Sequence, residues 1–362
     1  MSRVVHLHIG APKTGTTYLQ DRLMLNASTL ADHGVTIPAS NRFIDIDRVH
    51  FQAALDLVGQ DWGGAPGHAD GAWELMVRRV RRAEGNVVIS HEILAAAKPD
   101  RIARAMNDLA GEEVHIVYSA RDLGRQLPAA WQESIKQGRR WSFGRFLNQV
   151  EAGRTWWTRA MDLPTVLANW GAKLPPERIH VVTVPHERGP HGDALWLRFC
   201  EAFGIDPAWA PKDSERANAS LGIAEAQVLR RLNRRLNLAV RHDYAYDQLV
   251  LEMLAHEVLA GRRSKPGRLP PDRYDFADHP AQVWVDWVHG SGVDVVGGPE
   301  DLRPRRPAPD ARWHDPDRVP PQQLLWASQE ALTAMVHVAA QRKDHHGLAA
   351  KVRHQARRMR EQ

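Results

Sequence analysis

The chain has a single cysteine and no long apolar run. Of its 362 residues only Cys200 is a cysteine, which excludes an intramolecular disulfide and fits a reducing cytoplasm. No stretch approaches the roughly 20 apolar residues of a membrane-spanning helix, so no integral membrane segment is predicted. The first residues read as a strand and lack the apolar region and cleavage site of a secretion signal. We therefore expect a cytoplasmic protein.

The chain also lacks a strong excess of either charge. It has 48 Lys and Arg against 43 Asp and Glu, a formal net charge of +5. This excess suits an anionic cofactor or substrate but is too small to predict nucleic acid as a partner. The 19 histidines include no helical H-x-x-x-H pair with a third ligand, so no metal site is predicted.

What is present is an alternation of strands and helices. Apolar runs of strand length cover residues 3–9, 86–90, 114–118 and 179–184. Helices are predicted between these strands, among them residues 16–33 and about 124–137, and a further one is predicted at residues 245–260. The alternation predicts an α/β fold with a mainly parallel sheet flanked by helices. We expect an α/β core over residues 1–215. Residues 216–362 are expected to form a mostly helical C-terminal extension with Pro/Gly-rich connectors, which could pack on the same core.

The first predicted strand leads into a glycine-containing turn. Backbone N–H groups of such a turn, and of the helix that follows it, point towards an anion. The nucleoside-triphosphatase P-loop has the pattern G-x-x-x-x-G-K-[ST]. Here Gly10 and Gly15 keep the glycine spacing and Thr17 keeps the hydroxyl, but Thr16 stands at the lysine position and the lysine lies earlier, at Lys13. The turn therefore predicts an anion site that differs from that of an ATPase.

Residues 12–17, Pro-Lys-Thr-Gly-Thr-Thr, resemble the 5′-phosphosulfate loop of sulfotransferases that use 3′-phosphoadenosine 5′-phosphosulfate (PAPS). The resemblance extends over about residues 3–205 and implies the P-loop NTPase-like fold of that family, in its bacterial type. It implies that loop amides and two hydroxyls hold the 5′-phosphate and that Lys13 contacts the bridging oxygen and the sulfuryl group. The implied cofactor contacts fall on Pro12, Lys13, Thr14, Gly15, Thr16, Thr17 and Tyr18, the last near the adenine.

A proton acceptor is expected directly after the second long strand. Ser90 ends this strand, and His91 and Glu92 follow it. Ligands of parallel sheets bind at the C-terminal ends of the strands, so both side chains could reach the cleft. The family resemblance implies a glutamate base in several branches and a histidine in another. Glu92 is therefore the first candidate and His91 the second, while a helix-capping role for Glu92 and a backbone contact for His91 are the structural alternatives.

Arg121 follows the third long strand in a segment that resembles the family's 3′-phosphate site. A guanidinium group at a strand end suits a phosphate. The resemblance also implies a serine eight residues later, where this chain has Ala129. Either another donor replaces that hydroxyl, with Arg125, Gln126 and Ser134 as the candidates, or the affinity for a 3′-phosphate is reduced. We add Arg125 to the predicted cofactor contacts, with a surface ion pair of Arg121 as the structural alternative.

Together these residues predict a sulfotransferase that moves a sulfuryl group from PAPS to a hydroxyl or amine without a metal. The predicted acceptor is a carbohydrate, a lipid or a small metabolite, and the pattern specifies neither it nor the oligomeric state. A P-loop small-molecule kinase is one alternative, against which the absence of a lysine at Thr16 counts. A non-catalytic nucleotide-binding protein is the other, and Ala129 keeps it open.

Overall fold

The computed structural model describes residues 3–38, 46–62, 64–214, 220–241, 243–262 and 264–341. Within these ranges six strands form one parallel sheet in the order β2-β3-β1-β4-β5-β6. The strands are β1 Val4–His8, β2 Val35–Thr36, β3 Asn86–Ser90, β4 Glu113–Ala120, β5 Ile179–Thr183 and β6 Asp294–Val296. The predicted α/β class with a mainly parallel sheet is confirmed.

Helices connect the strands and cover both faces of the sheet. The N-terminal ones are α1 Thr16–Leu25, α2 Ala27–Asp32, α3 Ile46–Val58, α4 Ala72–Arg82, α5 Pro99–Asp108, α6 Leu123–Lys136, α7 Phe143–Glu151, α8 Trp156–Met161, α9 Leu163–Trp170 and α10 Ala194–Phe203. A short 3₁₀ helix, Glu92–Ala96, follows β3 directly. Val5 and Leu7 of β1, and Ile9 directly after it, are fully buried in one core cluster, while His8 packs its ring edge-on against Phe199 on the opposite face.

The helix predicted over residues 16–33 is instead two helices. The Asn26 side chain donates hydrogen bonds of 2.8 Å to the carbonyl oxygens of Arg22 and Lys212. Such a side chain competes with the backbone for helical hydrogen bonds, which explains the break between α1 and α2.

The C-terminal segment adds helices and one strand. Its elements are α11 Ile223–Arg235, α12 Leu238–Arg241, α13 Tyr244–Tyr246, a π-helix Asp247–Leu259, α14 Tyr274–Ser291 and α15 Pro321–Gln341. Strand β6 belongs to this segment and pairs with β5, with Val295 opposite Val181. The segment thus completes the sheet, and the domain boundary near residue 215 stays a prediction.

The register of the central strands determines where the candidate site lies. His8, near the end of β1, is opposite Ser90 of β3 and Val117 of β4. Because all three strands are parallel, the loop after β1, the residues after β3 and the residues after β4 meet at one edge of the sheet. The loop at residues 10–17, the pair His91 and Glu92, and Arg121 are therefore neighbours.

Candidate cofactor and catalytic site

The loop between β1 and α1 is held in an unusual backbone conformation. Lys13 has a φ of 66° and Gly15 a φ of 101°, both in the left-handed region. For a residue with a side chain, such as Lys13, this costs on the order of 1–3 kcal/mol, so neighbouring contacts must hold it. The Gln126 side chain provides one by donating a 2.7 Å hydrogen bond to the Pro12 carbonyl, and the Thr14 hydroxyl provides another by donating to the Ala11 carbonyl. These contacts fix where the Lys13 side chain leaves the loop.

Two polar atoms at this loop are buried without a hydrogen-bond partner of normal geometry. They are the Thr16 hydroxyl oxygen, in the first turn of α1, and Nε of Arg121, just after β4. Buried polar atoms almost always have a partner, so an unpartnered one requires an explanation. Arg121 also supports the loop directly, because its Nη1 donates a 3.0 Å hydrogen bond to the Lys13 carbonyl. Arg121 therefore keeps an unused donor beside the loop, and the Thr16 hydroxyl lies near the Glu92 carboxyl, whereas Thr17 is partly exposed.

Glu92 lies against the same loop. A Cβ atom added to Gly10 would be 2.9 Å from Glu92 Cα, so the two backbones touch and only glycine fits. Burial raises the pKa of the Glu92 carboxyl, although the charge of Lys13 and the nearby Thr16 hydroxyl both act to lower it. Lys13 and Thr16 therefore both lie near the Glu92 carboxyl, and a raised pKa moves a carboxylate towards the range in which it can act as a base near neutral pH.

His91 is placed differently. Its ring stacks on Phe51, with ring centroids 5.1 Å apart and an angle of 30° between the planes. Its Nδ1 accepts a 3.2 Å hydrogen bond from the Ile93 backbone N–H and so caps the short helix that starts at Glu92. The backbone contact considered as the alternative for His91 is thus present, and its role as a second candidate base stays a prediction.

Sequence reasoning missed the acidic partner of Lys13. The Lys13 ammonium lies 2.8 Å from Oε2 of Glu133 on α6, and the Lys136 ammonium lies 2.7 Å from the same oxygen. Burial alone would raise the pKa of Glu133, but the two lysines hold it far below its usual range. Burial alone would lower the pKa of Lys13, but Glu133 raises it, so Lys13 stays protonated. The only sequence signal was the three-residue spacing of Glu133 and Lys136 on a predicted helix.

Replacing Glu133 by glutamine should lower the free energy of unfolding by about 3 kcal/mol, because the half-buried Lys13 and the buried Lys136 lose their shared partner. Urea unfolding at neutral pH measures this loss. Glu74→Gln is the matched control, since Glu74 and Arg78 form an exposed pair whose loss should cost about 0–1 kcal/mol.

The effect of Glu133 should depend on pH in a defined direction. Its pKa is lowered in the folded state, so its stabilisation is complete above the unfolded-state pKa and is lost as the pH falls towards the folded value. The difference between wild type and Glu133→Gln should therefore shrink below about pH 4. A constant difference across this range, or an equal loss in Glu74→Gln, would contradict the ion-pair account.

Arg125 has structural contacts at all three nitrogens. Its Nε donates to the Asp122 carboxylate, and Nη1 and Nη2 donate to the carbonyls of Pro185 and Val184 at 2.9 and 3.0 Å. Tyr18 lies on α1, where its hydroxyl accepts a 2.9 Å hydrogen bond from Arg22 Nη1. The cofactor roles of Arg125 and Tyr18 stay predictions, and for Arg125 the backbone contacts compete with such a role.

The other replacements considered for the missing serine also have partners. Besides the Gln126 contact to the loop, the Ser134 hydroxyl donates to the Ala130 carbonyl at 3.0 Å and accepts from Trp157 Nε1 at 2.8 Å. Ser134 is buried in the core, so its hydroxyl is committed there.

His8 is a second residue that sequence reasoning did not assign. Its ring lies 2.7 Å from the Ser90 hydroxyl and 3.1 Å from the Ser119 hydroxyl, which joins the ends of β1, β3 and β4. Burial lowers the pKa of His8 to about 3, with a smaller contribution from His91, so the ring is neutral near pH 7. Its function is to hold the strand ends beneath the loop.

In the described part of the chain, no group of three or more His, Cys, Asp or Glu residues is arranged to hold a metal ion. The expectation of a metal-free site stays a prediction. Among the described helices, none is both long and apolar enough to cross a membrane.

Comparison with known proteins adds little to the site itself. No family model matches the chain, and no curated protein matches it. One solved structure that it resembles is a sulfotransferase from Alicyclobacillus acidocaldarius, at 15% identity and a TM-score of 0.39, covering 68% of this chain and 99% of that one. A likeness this weak says nothing about substrate or chemistry.

Proposed function

We propose that the chain is a PAPS-dependent sulfotransferase. The observation that carries the proposal is the meeting of protonated Lys13, the half-buried Glu92 and the buried Thr16 hydroxyl at one loop. An anion site next to a potential base is what transfer of a charged group to a hydroxyl or amine requires.

The donors present fit the two phosphates of such a cofactor. Residues 12–17 supply a strand-to-helix turn, and the Thr16 hydroxyl, which has no hydrogen bond of normal geometry, suits a 5′-phosphate. Arg121, whose Nε has no partner, suits the 3′-phosphate. PAPS, when bound, supplies an activated sulfuryl group. Thr17 and Tyr18 complete the proposed contacts, and no metal is invoked.

Lys13 is proposed to neutralise charge on the leaving phosphate. Glu133 raises its pKa, so it carries a full positive charge at neutral pH. The strained loop and the 2.8 Å ion pair also fix its ammonium group before any ligand arrives. A pre-oriented charge is worth more than one that must be ordered during the reaction.

Glu92 is proposed to take the proton from the acceptor hydroxyl or amine. Burial raises its pKa, which strengthens it as a base, while the charge of Lys13 favours the ionised form that can accept a proton. The proposed acceptor is a carbohydrate, a lipid or a small metabolite, and the proposed location is the cytoplasm. Residues 216–362 would serve as an extension on the acceptor side of the core.

The proposal is tested by measuring whether the protein binds a nucleotide with a 3′-phosphate more tightly than one without it. Titration calorimetry should show that wild type binds adenosine 3′,5′-bisphosphate (PAP) more tightly than AMP, which lacks the 3′-phosphate. Arg121→Gln should lose about 10-fold or more of this preference, because a charge-assisted contact contributes about 1.5–3 kcal/mol. Arg125→Gln is the matched comparison and should instead lower the unfolding temperature, since its donors bind backbone carbonyls. Equal affinities of wild type for PAP and AMP would contradict the proposal.

A further inference from the structure

Two lysines share a single carboxylate oxygen at the candidate site. Oε2 of Glu133 lies 2.8 Å from the Lys13 ammonium and 2.7 Å from the Lys136 ammonium. Contacts this short are those of charged ammonium groups with a carboxylate. One lysine would be enough to neutralise Glu133. The second leaves these three side chains, here called the Lys-Glu-Lys cluster, with a net charge of +1.

Among the described residues, the neighbours of the Lys-Glu-Lys cluster leave its charge in place. Nε2 of His256, on the π-helix, lies 3.5 Å from the Lys136 ammonium. Burial lowers the pKa of His256, and the charge of Lys136 lowers it further, so the ring is neutral near pH 7. Glu92 and Arg121 both act on the pKa of Lys13, but their charges are opposite and offset each other.

This excess charge lies in a largely buried place. The side chains of Lys13, Glu133 and Lys136 are 30%, 16% and 10% exposed. Charge that is withdrawn from water is costly unless an opposite charge is close by. The cluster is therefore best balanced when an anion is bound at the loop, on the side of its most exposed member, Lys13.

Lys136 is the deepest member of the cluster, and its ammonium binds Glu133 rather than the loop. Its effect on a ligand at the loop therefore passes through Glu133. Without Lys136, the carboxylate would neutralise Lys13, and the cluster would have no net charge. With Lys136 present, the carboxylate is shared and Lys13 keeps positive charge for an anion. A unit charge within about 8 Å of an anion changes affinity about tenfold or more at the effective dielectric constant of a protein surface.

We infer that Lys136 is a positioning residue of the proposed cofactor site. It balances Glu133, so that Lys13 is held in place by the carboxylate and still attracts the phosphosulfate end of the cofactor. This inference rests on the proposed function, because the anion at the loop is the proposed cofactor.

The test is calorimetric titration of the full chain with PAP and, separately, with inorganic pyrophosphate. Lys136→Met removes the charge but keeps an unbranched side chain, and should weaken both ligands about tenfold. The double variant Glu133→Gln with Lys136→Met has a cluster charge of +1 again and should return both affinities to within about threefold of wild type. Lys173→Met is the matched control, because Lys173 is exposed outside the loop and should bind as wild type does.

The double variant distinguishes an electrostatic role from a structural one. If Lys136 only supported the fold, the loss of Glu133 as well would weaken binding further rather than restore it. Lys136→Arg keeps the charge and should bind both ligands within about threefold of wild type. If Lys136→Met does not fold, Lys136→Gln replaces it in the single and the double variant.

Three results would overturn the inference: wild-type affinities in Lys136→Met, a double variant that binds no better than Lys136→Met, or no binding of either ligand to wild type. Pyrophosphate binding in the expected order of variants without PAP binding would remove the sulfotransferase proposal alone. PAP binding to wild type that Lys136→Met leaves unchanged would remove the role of Lys136 alone.

Discussion

Replacement of Lys13 by alanine is expected to lower the rate of PAP release from PAPS by about 10²–10³-fold, the usual effect of removing one donor that stabilises transition-state charge. Lys13 is the cation at the loop whose ammonium is fixed beforehand, by its backbone conformation and by Glu133. Arg121 contacts the Lys13 carbonyl but has its own proposed phosphate, so it should not replace the missing charge. Chromatographic measurement of PAP under saturating PAPS and a sulfuryl acceptor gives the rate.

The control for Lys13→Ala is Lys173→Ala, an exposed lysine outside the loop. It should keep the wild-type rate, which separates a local effect from a general loss of positive charge. We expect the Lys13→Ala protein to fold, because Glu133 keeps Lys136 as a partner. Circular dichroism checks this expectation. A Lys13→Ala enzyme with the wild-type rate would remove Lys13 from the mechanism.

Replacement of Glu92 by glutamine is expected to lower turnover by about 10²–10⁴-fold, the range for loss of a general base. PAP affinity should stay the same or rise, because a carboxylate next to an anion site is replaced by a neutral amide.

The pH dependence of turnover adds a second readout. Wild-type turnover should fall as the pH drops through the raised pKa of Glu92, because protonation removes the base. The residual activity of Glu92→Gln should lack this fall.

His91→Ala is the comparison for the base, since His91 lies beside Glu92 but stacks on Phe51 and caps a backbone N–H. We expect a modest loss of stability and turnover within about tenfold of wild type, because a capping contact contributes about 1 kcal/mol. If His91→Ala removes turnover and Glu92→Gln keeps it, His91 rather than Glu92 is the general base.

Local patterns were sufficient to predict the sheet and the approach of its loops. Strand-length apolar runs set β1, β3, β4 and β5, and parallel pairing brings their ends to one edge. The glycine spacing at Gly10 and Gly15 similarly predicted a turn that the backbone confirms, with both residues in the left-handed region. These features depend on neighbours in sequence, which is why periodicity and turn residues reveal them.

The missed features depend on contacts between distant segments. Glu133 pairs with Lys13 across 120 positions, and no local pattern encodes that meeting. Asn26 breaks the predicted helix partly through the carbonyl of Lys212, far away in sequence. The helix predicted over 245–260 has a π-helical conformation over most of its length, which apolar periodicity does not distinguish from an α-helix.

The central claim is that the loop after β1 binds a 3′-phosphorylated nucleotide rather than a metal-bound triphosphate. Its most direct test is calorimetric titration of the wild-type chain with PAP and, in parallel, with ATP and Mg²⁺. We predict saturable PAP binding that Lys13→Ala weakens, and ATP binding at least about tenfold weaker, a difference of about 1.4 kcal/mol. Tighter binding of ATP with Mg²⁺ than of PAP would favour a kinase, and no binding of either nucleotide would contradict the account.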